Sequence, residues 1–247
     1  DIAVEFRPLS GISGDLYDFY CLEGKLRGIG LFDVSGHGIS SGLVTVLAKN
    51  TIFHEFRTTL PLSLSDAMIR INNSVIRVKG GIQNYLTGIV LRIDKEDDYK
   101  LELANAGSPY PIYKAKNKKK SILIKPDSKK PQYGMLGLEG IDVFFQTIKR
   151  KMNIGDTLVL YTDGLTESEN KKGEQYGIER LQNAVDSATG TAQEILDYIN
   201  DDFKTFIGKA ELEDDISIIV IKRDKEDSKT GSKQDNSDLI EELEAVE

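Results

Sequence analysis

The sequence predicts an α+β fold in which antiparallel sheets carry packed pairs of helices. Two observations lead there. Strand-like segments occur in runs, and helix-like segments come in two adjacent pairs. A doubly wound parallel fold would instead alternate strand and helix one for one. No internal repeat divides the chain.

The elements follow in order. Ile2–Arg7 and Leu16–Tyr20 alternate apolar with polar residues, whereas Leu26–Val34 is a more continuous apolar run of the kind found in central strands. Gly36-His37-Gly38 breaks the chain, and Ser40 or Ser41 is expected to cap a helix running to about Thr59. On that helix Leu43, Val46, Leu47, Thr51 and Phe53 are expected mostly in the core. Pro61 closes the connection, Ser65-Asp66 opens a second helix through Val78, and Gly80-Gly81 stops it. Strands are predicted at Leu86–Ile93, Lys100–Asn105, Pro111–Lys114, Ile122–Ile124, Val143–Ile148 and Thr157–Tyr161. A second helix pair, Ile178–Ser187 and Ala192–Phe206, precedes a closing strand at Ile216–Ile221.

Composition narrows the function. At 247 residues, with 39% hydrophobic and 29% charged, the chain makes one large globular domain or two small ones, which excludes collagen-like and wholly disordered readings. Lys and Arg number 32 against 40 Asp and Glu, a net charge of -8. Non-specific binding to nucleic acid or anionic membrane needs clustered cations, and no basic, aromatic-lined groove is signalled, so a nuclease is disfavoured. The single cysteine, Cys21, excludes an internal disulfide framework and fits a reducing compartment, so a cytoplasmic location is expected. With two histidines and one cysteine, a metal site must rest mainly on oxygen ligands, which excludes Cys/His zinc. The longest apolar stretch, around Gly42 to Phe56, contains Lys49 and His54 and spans no bilayer. The opening residues do not read as a signal peptide, and none is expected. It begins at Asp1 rather than Met and is expected to be the C-terminal part of a longer protein. Residues 1–222 are read as the folded domain. The remainder, 223–247, is acidic and poor in apolar residues, and is expected to be disordered, with Ser237–Leu243 as a fraying helix.

Three local sequences share one design. Asp33 ends an apolar strand before Ser35-Gly36-His37-Gly38, Asp163 does the same after Leu158–Tyr161, and Asp214-Asp215 precede the last strand. A fourth, Ser13-Gly14-Asp15-Leu16-Tyr17-Asp18, opens the second strand. Any one alone reads as an ordinary Asp/Gly turn. Together they suggest carboxylates converging at strand ends, which repel and raise each other's pKa unless a multivalent cation compensates. Mg²⁺ and Mn²⁺ prefer such oxygen donors. A carboxylate bridging two ions ~3.5–4 Å apart would support metal-assisted phosphoryl hydrolysis.

These blocks carry a family resemblance. Ser13-Gly14-Asp15-Leu16-Tyr17-Asp18, Phe32-Asp33-Val34-Ser35-Gly36-His37-Gly38, Asn105-Ala106-Gly107, Tyr161-Thr162-Asp163-Gly164-Leu165-Thr166-Glu167 and Asp214-Asp215-Ile216-Ser217 resemble, in order and spacing, the metal-dependent protein phosphatase 2C superfamily. They look most like its bacterial SpoIIE/RsbU-type branch. The resemblance spans about residues 1–222. It implies a central β-sandwich of two antiparallel sheets flanked by helix pairs, with two Mn²⁺ or Mg²⁺ ions at one end. It also implies phosphoserine/phosphothreonine hydrolysis by attack of a metal-bridging hydroxide, commonly on an anti-anti-sigma (STAS-domain) protein in bacterial partner switching and stress signalling.

Residue by residue, the resemblance makes Asp33 the bridging ligand and adds the Val34 carbonyl and Asp15 on one ion. Asp163 and Asp214 would hold the other. Asp33 and Asp163 are thus the residues catalysis is expected to need most. Asp18 and Asp215 are nearby acids in supporting or structural roles. His37 either donates a proton to the leaving serine oxygen or packs the metal turn, and Arg7 either pairs bidentately with a substrate phosphate or is a plain surface arginine. Ser108 stands where relatives often have His.

Outside these blocks, Lys116, Lys118, Lys119, Lys120, Lys125, Lys129 and Lys130 form either a solvated hairpin turn or a landing strip for an acidic phosphoprotein. A regulatory domain N-terminal to this segment is expected to act through the first helix pair, and a homodimer is compatible with this reading. The rival reading is a binding or regulatory module of the same fold with weak catalysis.

Overall fold

The computed structural model describes residues 1–9, 11–36, 38–94 and 99–224. The tail from 225 onward, including the helix expected at Ser237–Leu243, and His37 lie outside the described residues.

Two five-stranded antiparallel sheets face each other. One has the order β1 (Ile2–Arg7), β10 (Ile216–Lys222), β9 (Thr157–Tyr161), β6 (Ile112–Lys114) and β7 (Ile122–Leu123). The other has the order β2 (Asp15–Leu22), β3 (Lys25–Val34), β4 (Leu86–Asp94), β5 (Lys100–Ala106) and β8 (Ile148–Lys151). Strand alternation fixes three core layers. Ile29 and Leu31 of β3 meet Leu158 and Leu160 of β9 and Ile219 and Ile221 of β10 between the sheets. Their neighbours Phe32 and Val34 pack outward against α1 (Ile39–Thr58) and α2 (Leu64–Lys79). Val159, Ile218 and Val220 likewise pack against α4 (Ile178–Ser187) and α5 (Ala192–Ile207). Burial on both faces explains why β3, β9 and β10 read as unbroken apolar runs. The resulting α–β–β–α sandwich is the predicted α+β class.

Local chemistry sets the helix ends. The Ser63 hydroxyl accepts from the Asp66 N–H to start α2, and Thr191 with Glu194 forms a capping box on α5. The first helix departs from expectation. Neither Ser40 nor Ser41 caps it: α1 begins at Ile39 after Gly38, Ser41 donates to the Gly38 carbonyl at 2.9 Å, and Ser40 to Asn84 Oδ1 at 2.8 Å. Its phase also differs. Ser41, Gly42, Val44, Ala48, Ile52 and Phe56 face the sheet, so Leu43 is 52% and Val46 62% exposed and Phe53 also reaches solvent. A helix apolar on every side offers no periodicity from which to choose a face, and the small residues Gly42 and Ala48 won the close approach.

Two further differences concern the second half. The strand predicted at Val143–Ile148 forms one isolated bridge, Tyr133 to Phe144, and β8 itself is Ile148–Lys151. The apolar alternation there is real, since Phe145 is buried against α1 and α2 while Phe144 is exposed, but it needs no ladder. After β9, Asp163–Glu167 forms a short helix, α3, in place of the expected turn. Among the described residues no helix is long and apolar enough to cross a membrane.

Candidate metal centre

The pairing of β2 with β3 sets Asp15 directly opposite Asp33. Alternation puts Asp15 on the face shared by Tyr17 and Phe19, and Asp33 on that of Ile29 and Leu31, so both look between the sheets. Like charges in directly opposed positions destabilise an antiparallel pair. The facing sheet adds more acid. Asp163 begins α3 just after β9, and Asp214 and Asp215 immediately precede β10. Gly164 lets these two segments touch: a Cβ there would collide with the Asp215 carbonyl oxygen and lie 3.3 Å from the Asp214 Cβ.

The electrostatics record this convergence. Burial, then the charges of Asp15, Asp163, Asp214 and Asp215, push the Asp33 carboxyl up to about 8. Burial raises Asp15 to about 7 against the opposing pull of its Ser217 and Thr162 hydrogen bonds, with Asp215 and Asp214 adding to the rise. Glu167, at the end of α3, is raised by burial and by Asp163 and Asp214. A compensating cation would favour their charged forms near neutral pH.

The sequence reasoning missed the groups that hold Asp15. It is 3% exposed, and its Oδ2 accepts from Thr162 Oγ1 at 2.9 Å and Ser217 Oγ at 2.5 Å. Thr162 Oγ1 in turn accepts from the Ser217 N–H at 3.0 Å. Both residues stand inside the quoted blocks, next to the aspartates, and that adjacency was the available signal. Thr45 of α1 donates toward the carbonyls of Ser13, Gly14 and Ser41 at 3.0–3.3 Å, tying the helix to the loop before β2.

The other sequence-selected residues fall as follows. The Val34 carbonyl oxygen lies over Gly14, 3.0 Å from where a Cβ would stand, and the Val34 N–H donates to the Gly14 carbonyl. Asp214 is exposed and its Oδ1 accepts from the Asp215 N–H. Asp215 clamps the loop before β2: its Oδ1 accepts from the Leu9 N–H at 2.6 Å, and its Oδ2 from Ser13 Oγ at 2.8 Å and the Gly14 N–H at 2.7 Å. Asp18 has the strand parity of Leu16 and Tyr20, which face α1 and α2, so it is not brought to the cluster. Arg7 is likewise held elsewhere: it pairs with Glu5 at 2.5 Å, donates to Asn200 Oδ1 at 3.0 Å and lies over the Phe203 ring of α5. Ser108 closes a turn with Asn105 through two 2.9 Å bonds and lines a cavity of about 430 Å³ beside Asp163 and Glu167. A larger cavity, about 940 Å³, lies at the far end of the second sheet around the β2–β3 and β4–β5 turns and includes none of the clustered aspartates.

An oxygen-preferring divalent cation suits this donor set, because the acids repel one another and, among the described residues, no His or Cys joins them. Among the described residues no three His, Cys, Asp or Glu side chains already enclose one ion. An ion held here would draw on these carboxylates, with carbonyl and water oxygens completing its shell.

Two opposed antiparallel sheets, flanking helix pairs and aspartates gathered at the strand ends define a PP2C-like domain. Residues 24–224 match the family described as Stage II sporulation protein E (SpoIIE), and the chain belongs to that family. It is 29% identical over 163 residues to the phosphoserine phosphatase RsbP of Bacillus subtilis, a match covering 66% of this chain and 38% of RsbP. The chain thus spans well under half of that relative's length. Its fold is similar to the SiaA-PP2C domain of Pseudomonas aeruginosa, with a TM-score of 0.74 and 20% identity over 90% of this chain and 85% of that one. It is also similar to the catalytic domain of the serine threonine protein phosphatase PstP in complex with two manganese ions, with a TM-score of 0.59 and 14% identity over 89% of this chain and 96% of that one.

Proposed function

We propose that this chain is a metal-dependent protein serine/threonine phosphatase. The observation that carries the reading is the cluster itself: Asp15 and Asp33 opposed on one sheet, with Asp163 and Asp214 approaching from the other, and Asp33 raised by burial and then by these acids. Asp33 would bridge two Mn²⁺ or Mg²⁺ ions, with Asp15 and the Val34 carbonyl on one side and Asp163 and Asp214 on the other. When bound, such ions make water a nucleophile near neutral pH and neutralise charge on phosphoryl oxygens.

This chain's own residues do the rest. Thr162 and Ser217 keep Asp15 in one orientation. Asp215 holds Leu9, Ser13 and Gly14 in place by hydrogen bonds instead of serving as a ligand. The cavity beside Asp163 receives the segment bearing the phosphoserine.

The substrate we favour is a STAS-domain anti-anti-sigma protein, in a cytoplasmic partner-switching pathway. The exposed apolar face of α1, which starts just after the metal turn, supports control by a regulatory domain or a second copy packing there. The test is release of inorganic phosphate from a phosphoserine STAS-domain protein with Mn²⁺, Mg²⁺ or EDTA. Cation-dependent release supports the reading. Metal binding without release from this or any phosphoserine peptide would favour the rival, a binding module of the same fold.

A further inference from the structure

The lysine-rich stretch of the sequence is two separate groups in the fold. The β6–β7 register, Ile112 opposite Leu123, sends residues 116–120 to the end remote from Asp163. There the Lys116 N–H donates to Asp156 Oδ1 just before β9, and Lys120 pairs with Asp186 of α4 at 3.5 Å. The chain then returns, and Lys125 Nζ lies 5.7 Å from the centre of the Tyr110 ring. Tyr110 lines the 430 Å³ cavity together with Asn105, Gln132, Tyr133 and, at its inner edge, Asp163 and Glu167.

The segment carrying Lys129 and Lys130 is stapled beside this cavity. Gln146 accepts from the Asp127 N–H and donates to the carbonyls of Asp127, Lys130 and Pro131. Its own N–H donates to Gln132, whose side chain donates to the Asn105 carbonyl. The one acid in the segment, Asp127, turns its carboxylate onto the Lys129 N–H. Lys125, Lys129 and Lys130 are exposed and form no ion pair among the described residues. Next to them Tyr110 and Tyr133 are 39% and 52% exposed, and Tyr133 packs on the exposed Phe144 ring at 4.9 Å. One edge of the cavity is therefore acidic, its lining is amide and aromatic, and the segment stapled beside it carries the cations.

The geometry points to this cavity as the docking site for the protein segment around the phosphoserine: an acidic-flanked peptide, with its acids on Lys125, Lys129 and Lys130 and its backbone across Tyr110 and Tyr133. The assignment rests on the phosphatase reading for the phosphate itself. Charge complementarity selects the occupant. Three cations on a pinned loop favour acids flanking the phosphoserine and disfavour lysines there, and the open aromatic faces suit an extended chain.

The test is fluorescence anisotropy at low ionic strength with two labelled phosphoserine peptides that share a core and differ in Asp/Glu or Lys flanks. The wild-type chain should bind the acidic-flanked peptide about tenfold more tightly, as three exposed pairs of ~0.5 kcal/mol each imply. Lys125→Glu/Lys129→Glu/Lys130→Glu should reverse the order, a gain for the basic peptide that misfolding cannot produce. Lys118→Glu/Lys119→Glu/Lys120→Glu, at the remote turn, should keep it. Equal affinities in the wild type, or an unchanged ratio in the first variant, overturns the assignment. Hydrolysis of p-nitrophenyl phosphate with Mn²⁺ is followed alongside. Its absence in the wild type would remove the phosphatase reading, while the binding ratio still decides the docking site.

Discussion

Ser217, on an inner strand of one sheet, donates its hydroxyl to the carboxylate of Asp15, on an edge strand of the other, at 2.5 Å. This bond joins the two halves of the sandwich at the point where the acids meet. A carboxylate 3% exposed would otherwise be costly, and the Ser217 and Thr162 hydroxyls offset part of that cost while leaving Asp15 oriented toward its neighbours.

Ser217→Ala should therefore weaken Mn²⁺ binding more than it weakens the fold. Loss of a partner that orients a metal ligand costs about 10- to 100-fold in affinity. Calorimetric titration of Mn²⁺ checks this, and an unchanged affinity would deny Ser217 a positioning role.

Gly164→Ala should disable the centre from a distance of one residue. The added methyl meets the Asp215 carbonyl and the Asp214 Cβ, so the α3 start and the β10 start must separate. Mn²⁺-dependent phosphate release should fall at least about tenfold, given that small displacements of a positioned site cost this much or more. Wild-type turnover in this variant would show that the two segments need not touch.

Arg92 should matter to stability rather than to chemistry. Its guanidinium donates to the carbonyls of Leu62 at 2.6 Å and Thr59 at 2.9 Å, lies 5.6 Å over the Phe56 ring and approaches Glu102 at 3.8 Å. It thereby locks the α1–α2 connection onto β4. Arg92→Leu should lower unfolding stability by about 1–3 kcal/mol, because the buried Thr59 carbonyl and the part-buried Leu62 carbonyl lose their donor. Urea unfolding checks this. Lys at this position should recover little, since one ammonium cannot reproduce the planar fork.

Asp156 should give the fold an acid limit. Burial pushes its carboxyl up, but donors from Tyr113, Lys116 and Asn153 outweigh that and hold it below the usual range. A depressed folded pKa contributes stability that is present above the unfolded value of about 3.9 and is lost as pH falls through the folded value. The chain should lose stability on acidification below about pH 4, and Asp156→Asn should flatten that part of the profile while destabilising the neutral protein. Thermal unfolding between pH 3 and 7 measures both effects.

The sequence made the layered architecture legible because nine of its strands carry their own apolar pattern and both helix pairs have turn signals around them. The four aspartates were legible through their place beside strand ends and glycines. The resemblance separated Asp15 from Asp18, and strand parity gives the physical reason: Asp15 looks between the sheets, whereas Asp18 is on the face that meets α1. Arg7 shows a similar limit, because its Glu5 and Asn200 partners depend on α5 packing over β1. The phase of α1 was hidden by apolar residues on all its sides, and the 126–147 segment by side-chain amides that replace a strand ladder.

Counting bound Mn²⁺ by calorimetry in the wild-type chain and in Asp33→Asn tests the metal centre most directly. Two ions per chain in the wild type, with both weakened in the variant, is the result expected if Asp33 bridges them. Equal binding by the two proteins, or no binding by either, would contradict a centre built on Asp33.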